Sequence, residues 1–408
     1  MRLKTIVLAG TLLVVPGLLY AQFDFKIDGR DVQVHSFASQ GFAYSDDNNY
    51  LTMKTSQGSF AMTDAAVNIS MPITDKFRIG AQMYVNNLGN LGDWHPMLDW
   101  AVAAYKFKDW FGIRGGKVKT VMGLYNDTQD MEFLHTFALL PQSMYPLDMR
   151  SSTIAHMGGD LFGEIPLKRL GSLSYTAYAG QRQDSLYGGY PYLLKQFGIS
   201  MENYGGLVVG EDLRWKTPLN GFLVGASHMD EDITGTGRLN PSVLFGGPNI
   251  LVPYSEWSNK DQTNQVYGQY TVGNLRLDSE YRRYWRDQQV FSGSMWITTD
   301  VRSWYVAAAY RVSKRLEFGT YYSRFTDHWF GTTPQIPPPS QSDPARHLYD
   351  KVVTARVDLT RYWNVKVEGH FMDGWAGTMY PDGFYPPDNP QGLAPKTNLL
   401  VIRTGWNF

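Results

Sequence analysis

Beyond residue 21 the chain is cut into alternating apolar and polar segments of about ten residues, and it holds no apolar run of about 18 residues that could cross a bilayer as a helix. Ten residues is the length a tilted membrane strand requires, at roughly 45° of tilt. Sixteen such segments can be traced, at 30–44, 59–71, 77–87, 96–107, 111–120, 156–165, 171–181, 203–215, 221–230, 262–272, 275–287, 300–312, 316–326, 349–359, 363–373 and 397–408. Strands that cross hydrocarbon have to close into a ring, because an open edge leaves backbone N–H and C=O groups without partners. The expected fold class is all-β: a transmembrane antiparallel β-barrel of about 16 strands, an even number that puts both termini on one side.

The start of the chain shows how it would reach such a membrane. Arg2 and Lys4 precede an uncharged, mostly apolar stretch over 5–20, and Ala21 offers a small residue for cleavage. The apolar core is short and Pro16 interrupts it, so 1–21 reads as a cleaved secretory signal peptide, leaving 22–408 as one barrel domain. Loss of Arg2 and Lys4 leaves 35 basic against 38 acidic residues, a balance that offers nothing to a nucleic acid. The chain has 0 cysteines, which excludes a disulfide framework, a lipid-modified cysteine and thiol chemistry. Aromatic residues gather near the segment ends (Trp100, Phe107, Trp110, Phe111, Trp215, Trp285, Trp304, Tyr362, Trp363, Trp406), as membrane-interface girdles do. In a soluble β-sandwich the same rings would be core residues.

Connection lengths favour the barrel. Short turns at Thr74-Asp75-Lys76, Lys108-Asp109, Pro218-Leu219-Asn220, Gly273-Asn274, Ser313-Lys314 and Arg361-Tyr362 alternate with long loops at 182–202, 231–261, 288–299, 327–348 and 374–396. Short periplasmic turns opposite long outer loops are the usual barrel asymmetry. Alternation also assigns faces. Val353, Ala355, Val357 and Leu359 oppose Thr354, Arg356 and Asp358; Leu275, Leu277 and Tyr281 oppose Arg276, Asp278, Glu280 and Arg282. An Arg or Lys turned to lipid at the midplane costs about 2–4 kcal/mol, so the charged sets belong to a wet lumen.

One connection stands apart. After Thr120 come 35 residues before the next strand, and Phe133, Leu134, Phe137, Leu139, Leu140 and Met144 within them need burial. Folding this third outer loop inward would supply it, and long ordered loops are usually functional. The expectation is a pore constriction with Asp127, Asp130, Glu132 and Arg150 near the narrowest section, faced from the wall by Lys117, Lys119, Arg276, Arg282 and Arg356. Opposed charges of this kind set ion selectivity; the same charges would also serve as salt bridges that fix the loop.

Signals for catalysis or a bound cofactor are weak. The eight histidines show no HExxH or i,i+4 pair, and no P-loop, GxSxG or dinucleotide-binding pattern occurs in context. His135 and His156 could join Asp130 and Glu132 around a metal, although loop hydrogen bonding explains them as well. An outer-membrane hydrolase would have to use His228 with Asp230 and Asp232, or Asp327 with His328. A gated transporter needs an N-terminal plug, and only eight residues lie between the cleavage point and Arg30.

Two stretches carry a resemblance. The ending TNLLVIRTGWNF sets Leu400, Ile402, Thr404, Trp406 and Phe408 on one face and resembles the C-terminal signature read by the barrel-insertion machinery. The stretch GGKVKTVMGLYN, with Gly116, Lys117, Val118, Lys119 and Gly123, resembles the end of the fifth strand and the start of the constriction loop in sixteen-strand bacterial porins. The chain looks most similar to porins of the phosphate-selective and related uncharacterised types; their anion-site motifs are not carried over residue by residue, so phosphate selectivity is not implied. The resemblance implies a Gram-negative outer-membrane pore for passive diffusion of small hydrophilic solutes or ions. It also implies a homotrimer embedded in lipid and lipopolysaccharide, with no cofactor and no enzymatic role. The alternatives are a barrel hydrolase and a structural or adhesive surface barrel.

Overall fold

The computed structural model describes residues 23–27, 29–337, 339–340, 342–376 and 383–408; the signal-peptide reading falls outside them. Its strands are β1 (Phe23–Ile27), β2 (Arg30–Ser45), β3 (Ser59–Pro72), β4 (Phe77–Leu88), β5 (Met97–Lys108), β6 (Phe111–Lys119), β7 (Ala155–Pro166), β8 (Ser172–Gln183), β9 (Ile199–Lys216), β10 (Phe222–Leu239), β11 (Val252–Val272), β12 (Leu275–Val290), β13 (Met295–Arg311), β14 (Leu316–Thr333), β15 (His347–Thr360), β16 (Trp363–Gly374) and β17 (Lys396–Asn407). From β2 onward each strand pairs antiparallel with the next, and β17 returns to β2 from Leu399↔Ser45 to Asn407↔Phe37. The sixteen strands β2–β17 therefore form a closed ring. Phe408 seals the seam: its N–H donates to Ser36 O at 2.7 Å, and Ser36 N–H donates to Phe408 O at 2.8 Å. Below that point β1 folds against β2, Phe23 opposite Val34, and takes over the edge that β17 leaves.

Side chains sort by the two-residue period of the strands. On β12 Asp278, Glu280, Arg286 and Gln288 are buried, while Leu277 and Tyr281 are exposed on the other face. On β16 Asn364, Lys366, Glu368 and His370 are buried, with Trp363, Val367 and Phe371 outward. This inverts a soluble protein's pattern: charge inside and oil-like side chains outside, as a bilayer demands. The two-residue turn between β11 and β12 depends on Gly273, whose φ of +56° reverses the chain where a side chain would be strained.

All sixteen sequence-read segments coincide with ring strands, but the wall is taller than expected over β9–β14. There β11 runs 21 residues and β9, β10 and β14 run 18, against 9 for β6. The loop expected at 231–261 shrinks to 240–251, and that at 288–299 to 291–294. The reason is that beyond the membrane the outer face is wet, so apolar–polar contrast fades although the hydrogen-bond ladder continues. Leu239↔Val252 up to Ile233↔Ser258 is such a continuation, with a bulge next to Glu231.

Candidate functional site

The segment 120–154, between β6 and β7, ends its hydrogen bonds on strands all around the ring. Three short 3-10 turns, at Asn126–Thr128, Glu132–Leu134 and Leu147–Ser152, leave most of its backbone groups without local partners. Strand side chains take them up. Lys366 Nζ donates to Glu132 O at 2.7 Å and Phe137 O at 3.1 Å, Arg356 to His135 O at 2.8 Å, and Arg403 to Ala138 O at 2.9 Å. The Ala138 and Leu139 N–H groups donate to Glu368 at 2.8 and 2.9 Å. Nearer β12, Glu280 accepts from Leu124 N–H at 3.0 Å and Tyr145 Oη at 2.6 Å, and Asp278 accepts from Tyr125 Oη at 2.6 Å. Phe137, Met144 and Tyr145 pack against Tyr305, Tyr321 and Val352, so the apolar residues of this segment are met by inward aromatic side chains. Leu134 differs and remains exposed.

The sequence-predicted residues fall into distinct places. Asp130 pairs with Lys119 at 2.8 Å and accepts from Gln82 at 2.7 Å; Arg150 holds Asp99 at 2.8 Å and comes to 4.0 Å from Asp130. Glu132 pairs with Lys366 at 2.5 Å. Arg276 pairs with Asp278 at 3.1 Å and Arg356 with Asp358 at 2.8 Å. Asp127 lends its carbonyl to Lys119 at 2.9 Å. Lys117 shares its register row with Met157, on the face that carries exposed Ile113, and donates to Leu98 O at 2.6 Å. The strand period, read through Gly116 at φ +123°, thus places Lys117 away from the acidic residues of the segment.

Burial and partners set the charge state of this segment. For Asp130 and Glu132, burial works against ionisation, but Lys119 with Arg150, and Lys366 with Arg403, outweigh it and hold both carboxyls below their ordinary values. Burial pushes Asp148 up, although Tyr385 Oη donates to it at 2.6 Å. Burial lowers His135 to about 4, so its ring is neutral at pH 7, with Nε2–H donating to Thr128 O at 2.9 Å.

Between the segment and the taller wall lies a cavity of about 110 Å³, bordered by Met122, Ser143 and Thr153 on one side and by Arg182, Glu231, Arg282 and Arg286 on the other. Of the nine sequence-predicted residues, Arg282 borders it. Arg182 is braced by Asp184 at 3.0 Å and by Glu231, and Arg286 by Asp261 at 3.2 Å and Tyr204 Oη at 2.6 Å. Arg282 Nε donates to Gln265 at 3.2 Å, with its guanidinium 6.0 Å from the Tyr145 ring. Arg182 and Arg286 were not singled out from the sequence. The signal was available for Arg286, which repeats the inward parity of Arg282, but it lies near the ragged end of the alternating segment.

Among the described residues there is no cluster of three or more metal-binding side chains. His135 and His156 do not meet; His156 Nδ1 lies 2.9 Å from Thr120 Oγ1. His228 contacts Asp230 at 3.1 Å and Asn264 at 2.9 Å, but it projects from the outer wall in the row of Ala226 and Val224 rather than into the ring.

No protein-family model matches the chain, and no curated protein matches it in sequence. Solved structures do. OmpF of Salmonella typhi, in complex with daunomycin, superposes with a TM-score of 0.55 at 13% identity over 95% of this chain and 100% of that one. An anion-selective porin from Comamonas acidovorans gives 0.54 at 8% identity over 93% and 100%. OmpT of Vibrio cholerae, an outer-membrane-expressed protein, gives 0.53 at 13% identity over 95% and 100%. At such identities the likeness carries the fold. The chain is a sixteen-strand β-barrel of the bacterial outer membrane, crossing it many times.

Proposed function

We propose that the chain is a porin: a water-filled channel for passive diffusion of small hydrophilic solutes or ions, narrowed by the segment 120–154 folded into the lumen. The observation that carries this reading is the pattern of attachment. A segment that leaves the ring between β6 and β7 is bonded to Glu317, Arg356 and Lys366 on β14, β15 and β16, across the ring from its origin. Such a chord has to pass through the interior. It leaves beside it the cavity flanked by Arg182, Arg282 and Arg286, where water and small solutes would pass. Fixed charges lining a narrow aqueous path select ions by sign and size. The fold is shared with porins, one of them an anion-selective porin, which supports the channel and leaves its selectivity to measurement.

Reconstitution of the purified protein into a planar bilayer tests this. Stepwise, ohmic conductance is expected, with the step size falling as neutral solutes small enough to enter the lumen are added. A folded, heat-modifiable protein that passes no current would overturn the reading.

A further inference from the structure

Three inward-facing register rows on β10–β14 form the wall of the cavity beside the segment 120–154. Nearest the long-loop end, Arg286, Asp261 and Glu231 stand side by side. The next row holds Val301, Tyr284, Thr263 and Met229, and the deepest holds Phe325, Ser303 and Arg282. Inward positions recur at every second residue, so the rows lie about 7 Å apart along the strands. Met122, Ser143 and Met149 face them from the segment.

The lining divides into an apolar middle and charged ends. Met122, Met229, Val301 and Phe325 are buried, and thioethers with a ring make a soft, polarisable surface that suits an aromatic guest. Asp184 and Asp261, which brace Arg182 and Arg286, do not border the cavity, so guanidinium groups stand between those carboxylates and whatever enters. Glu231, the carboxylate at the border, is covered by Arg182. At the deeper end Arg282 has the Ser303 hydroxyl next to it in register. On the segment's side Ser143 Oγ is buried and has no hydrogen-bond partner among the described residues. A hydroxyl in that state costs about 1–3 kcal/mol until something in the cavity bonds to it.

We infer that this cavity holds a small aromatic carboxylic acid, its carboxylate on Arg282 with the hydroxyls of Ser303 and Ser143, its ring on the row of Met229 and Val301. The inference rests on the channel reading and adds the class of solute that the passage retains. A few polar groups at one end of an apolar lining fix a ligand's orientation, and a guanidinium matches a carboxylate in charge and in shape. Phosphate would lose water against Met122 and Phe325 and gain nothing there. A neutral ring would leave the guanidinium and the Ser143 hydroxyl unanswered. The spacing fits as well: a carboxylate held by Arg282 sets the ring bonded to it on the next row, about 7 Å away. An apolar cavity of roughly 150 Å³ takes up benzene, and this one, at about 110 Å³, is near that size.

Saturation-transfer NMR on the full chain in detergent micelles, with benzoate as the probe, reads binding without requiring current; a bilayer recording with benzoate on one side reads the same site as brief blockages. Benzoate should bind, and acetate, inorganic phosphate and benzyl alcohol should each bind about ten-fold more weakly. Arg282→Gln should weaken benzoate about ten-fold, the worth of a hydrogen bond to a charged group. Met229→Gln keeps the side chain's length, removes the sulfur contact and should weaken benzoate about three-fold while leaving acetate unchanged. Both variants should keep heat-modifiable migration. The inference fails if phosphate or acetate matches benzoate, which makes the cavity a charge site only. It fails equally if benzyl alcohol matches benzoate, or if folded Arg282→Gln binds benzoate like the parent. Conduction without benzoate binding ends the inference and spares the channel; benzoate binding without conduction ends the channel and keeps the site.

Discussion

Lys366 and Glu132 form an ion pair at 2.5 Å with both side chains almost wholly out of solvent. The same ammonium holds two carbonyls of the segment, and Arg356 and Arg403 hold two more, so three strand cations grip four carbonyls between Glu132 and Ala138. The charges at this point act as fasteners. That relationship decides which substitutions should alter the shape of the proposed channel and which its proposed selectivity.

Lys366→Met leaves the Glu132 carboxylate and two carbonyls buried without their cation, and breaking one side of a buried pair costs about 3–5 kcal/mol. The ring's own ladder is untouched, so heat-modifiable migration should persist while the segment 120–154 becomes open to proteases and single-channel conductance rises. Conductance and protease resistance equal to the parent's would mean that this pair does not hold the segment.

Selectivity should follow the cavity rather than the fasteners. A charge a few ångströms from an ion path in water-like surroundings is worth about 1 kcal/mol, roughly a five-fold change in local ion ratio. Arg282→Glu, at the cavity border, should therefore move the bilayer reversal potential toward cation preference under a salt gradient. Lys119→Glu should move it less, because Lys119, paired with Asp130 at 2.8 Å, does not border that cavity. Equal shifts from the two variants would contradict the placement of the ion path.

Acid should loosen the segment through His135. Its ordinary value is 6.5 and burial lowers it to about 4, so the folded segment prefers the neutral ring. That preference is fully present above pH 6.5 and is lost as pH falls from there through about 4, where the buried ring must charge. Glu132 and Asp130, held below their ordinary values, lose their contribution lower still, as they protonate. Channel noise and open-level fluctuation should increase between pH 6.5 and 4, and His135→Gln should flatten that change. An unaltered pH profile in the variant would remove His135 from the account.

The ring was legible in the sequence because lipid imposes a two-residue period that few other environments impose, and β15 or β16 shows it without a break. What was not legible follows from the loss of that contrast. Past Glu231 on β10 and before Asp261 on β11 the outward face is wet while Ile233 and Tyr254 are buried inside, and the ladder runs on through residues whose pattern resembles a loop. At the candidate site, the need to bury Phe137, Leu139 and Met144 was readable, and all three are buried. Charge pairing was not. Nothing local to Lys366 or Arg403 points to their carbonyl partners, which lie more than 200 positions away. Lys117 and Lys119 looked equivalent at period two, yet Lys119 at the strand's end reaches Asp130 while Lys117 stays on the other face with Leu98.

Gly123 offers the narrowest test of how the segment begins. Its φ is +64°, its N–H donates to Ser227 Oγ at 3.0 Å, and its carbonyl accepts from Arg214 at 2.7 Å. A Cβ there would stand 2.5 Å from Glu280 Oε2 and 2.8 Å from Tyr145 Oη, the atoms that fasten Leu124 and Tyr145 to the wall. Gly123→Ala thus combines a left-handed backbone cost of about 1–2 kcal/mol with a collision against buried polar partners. The expected result is a displaced segment and a changed conductance step in a barrel that still assembles. Gly246→Ala is the matched control: its φ is +69°, but nothing lies within 4 Å of the added carbon, so it carries the backbone cost alone and should leave the step unchanged. If both variants conduct like the parent, the contacts around Glu280 do not set the width of the passage.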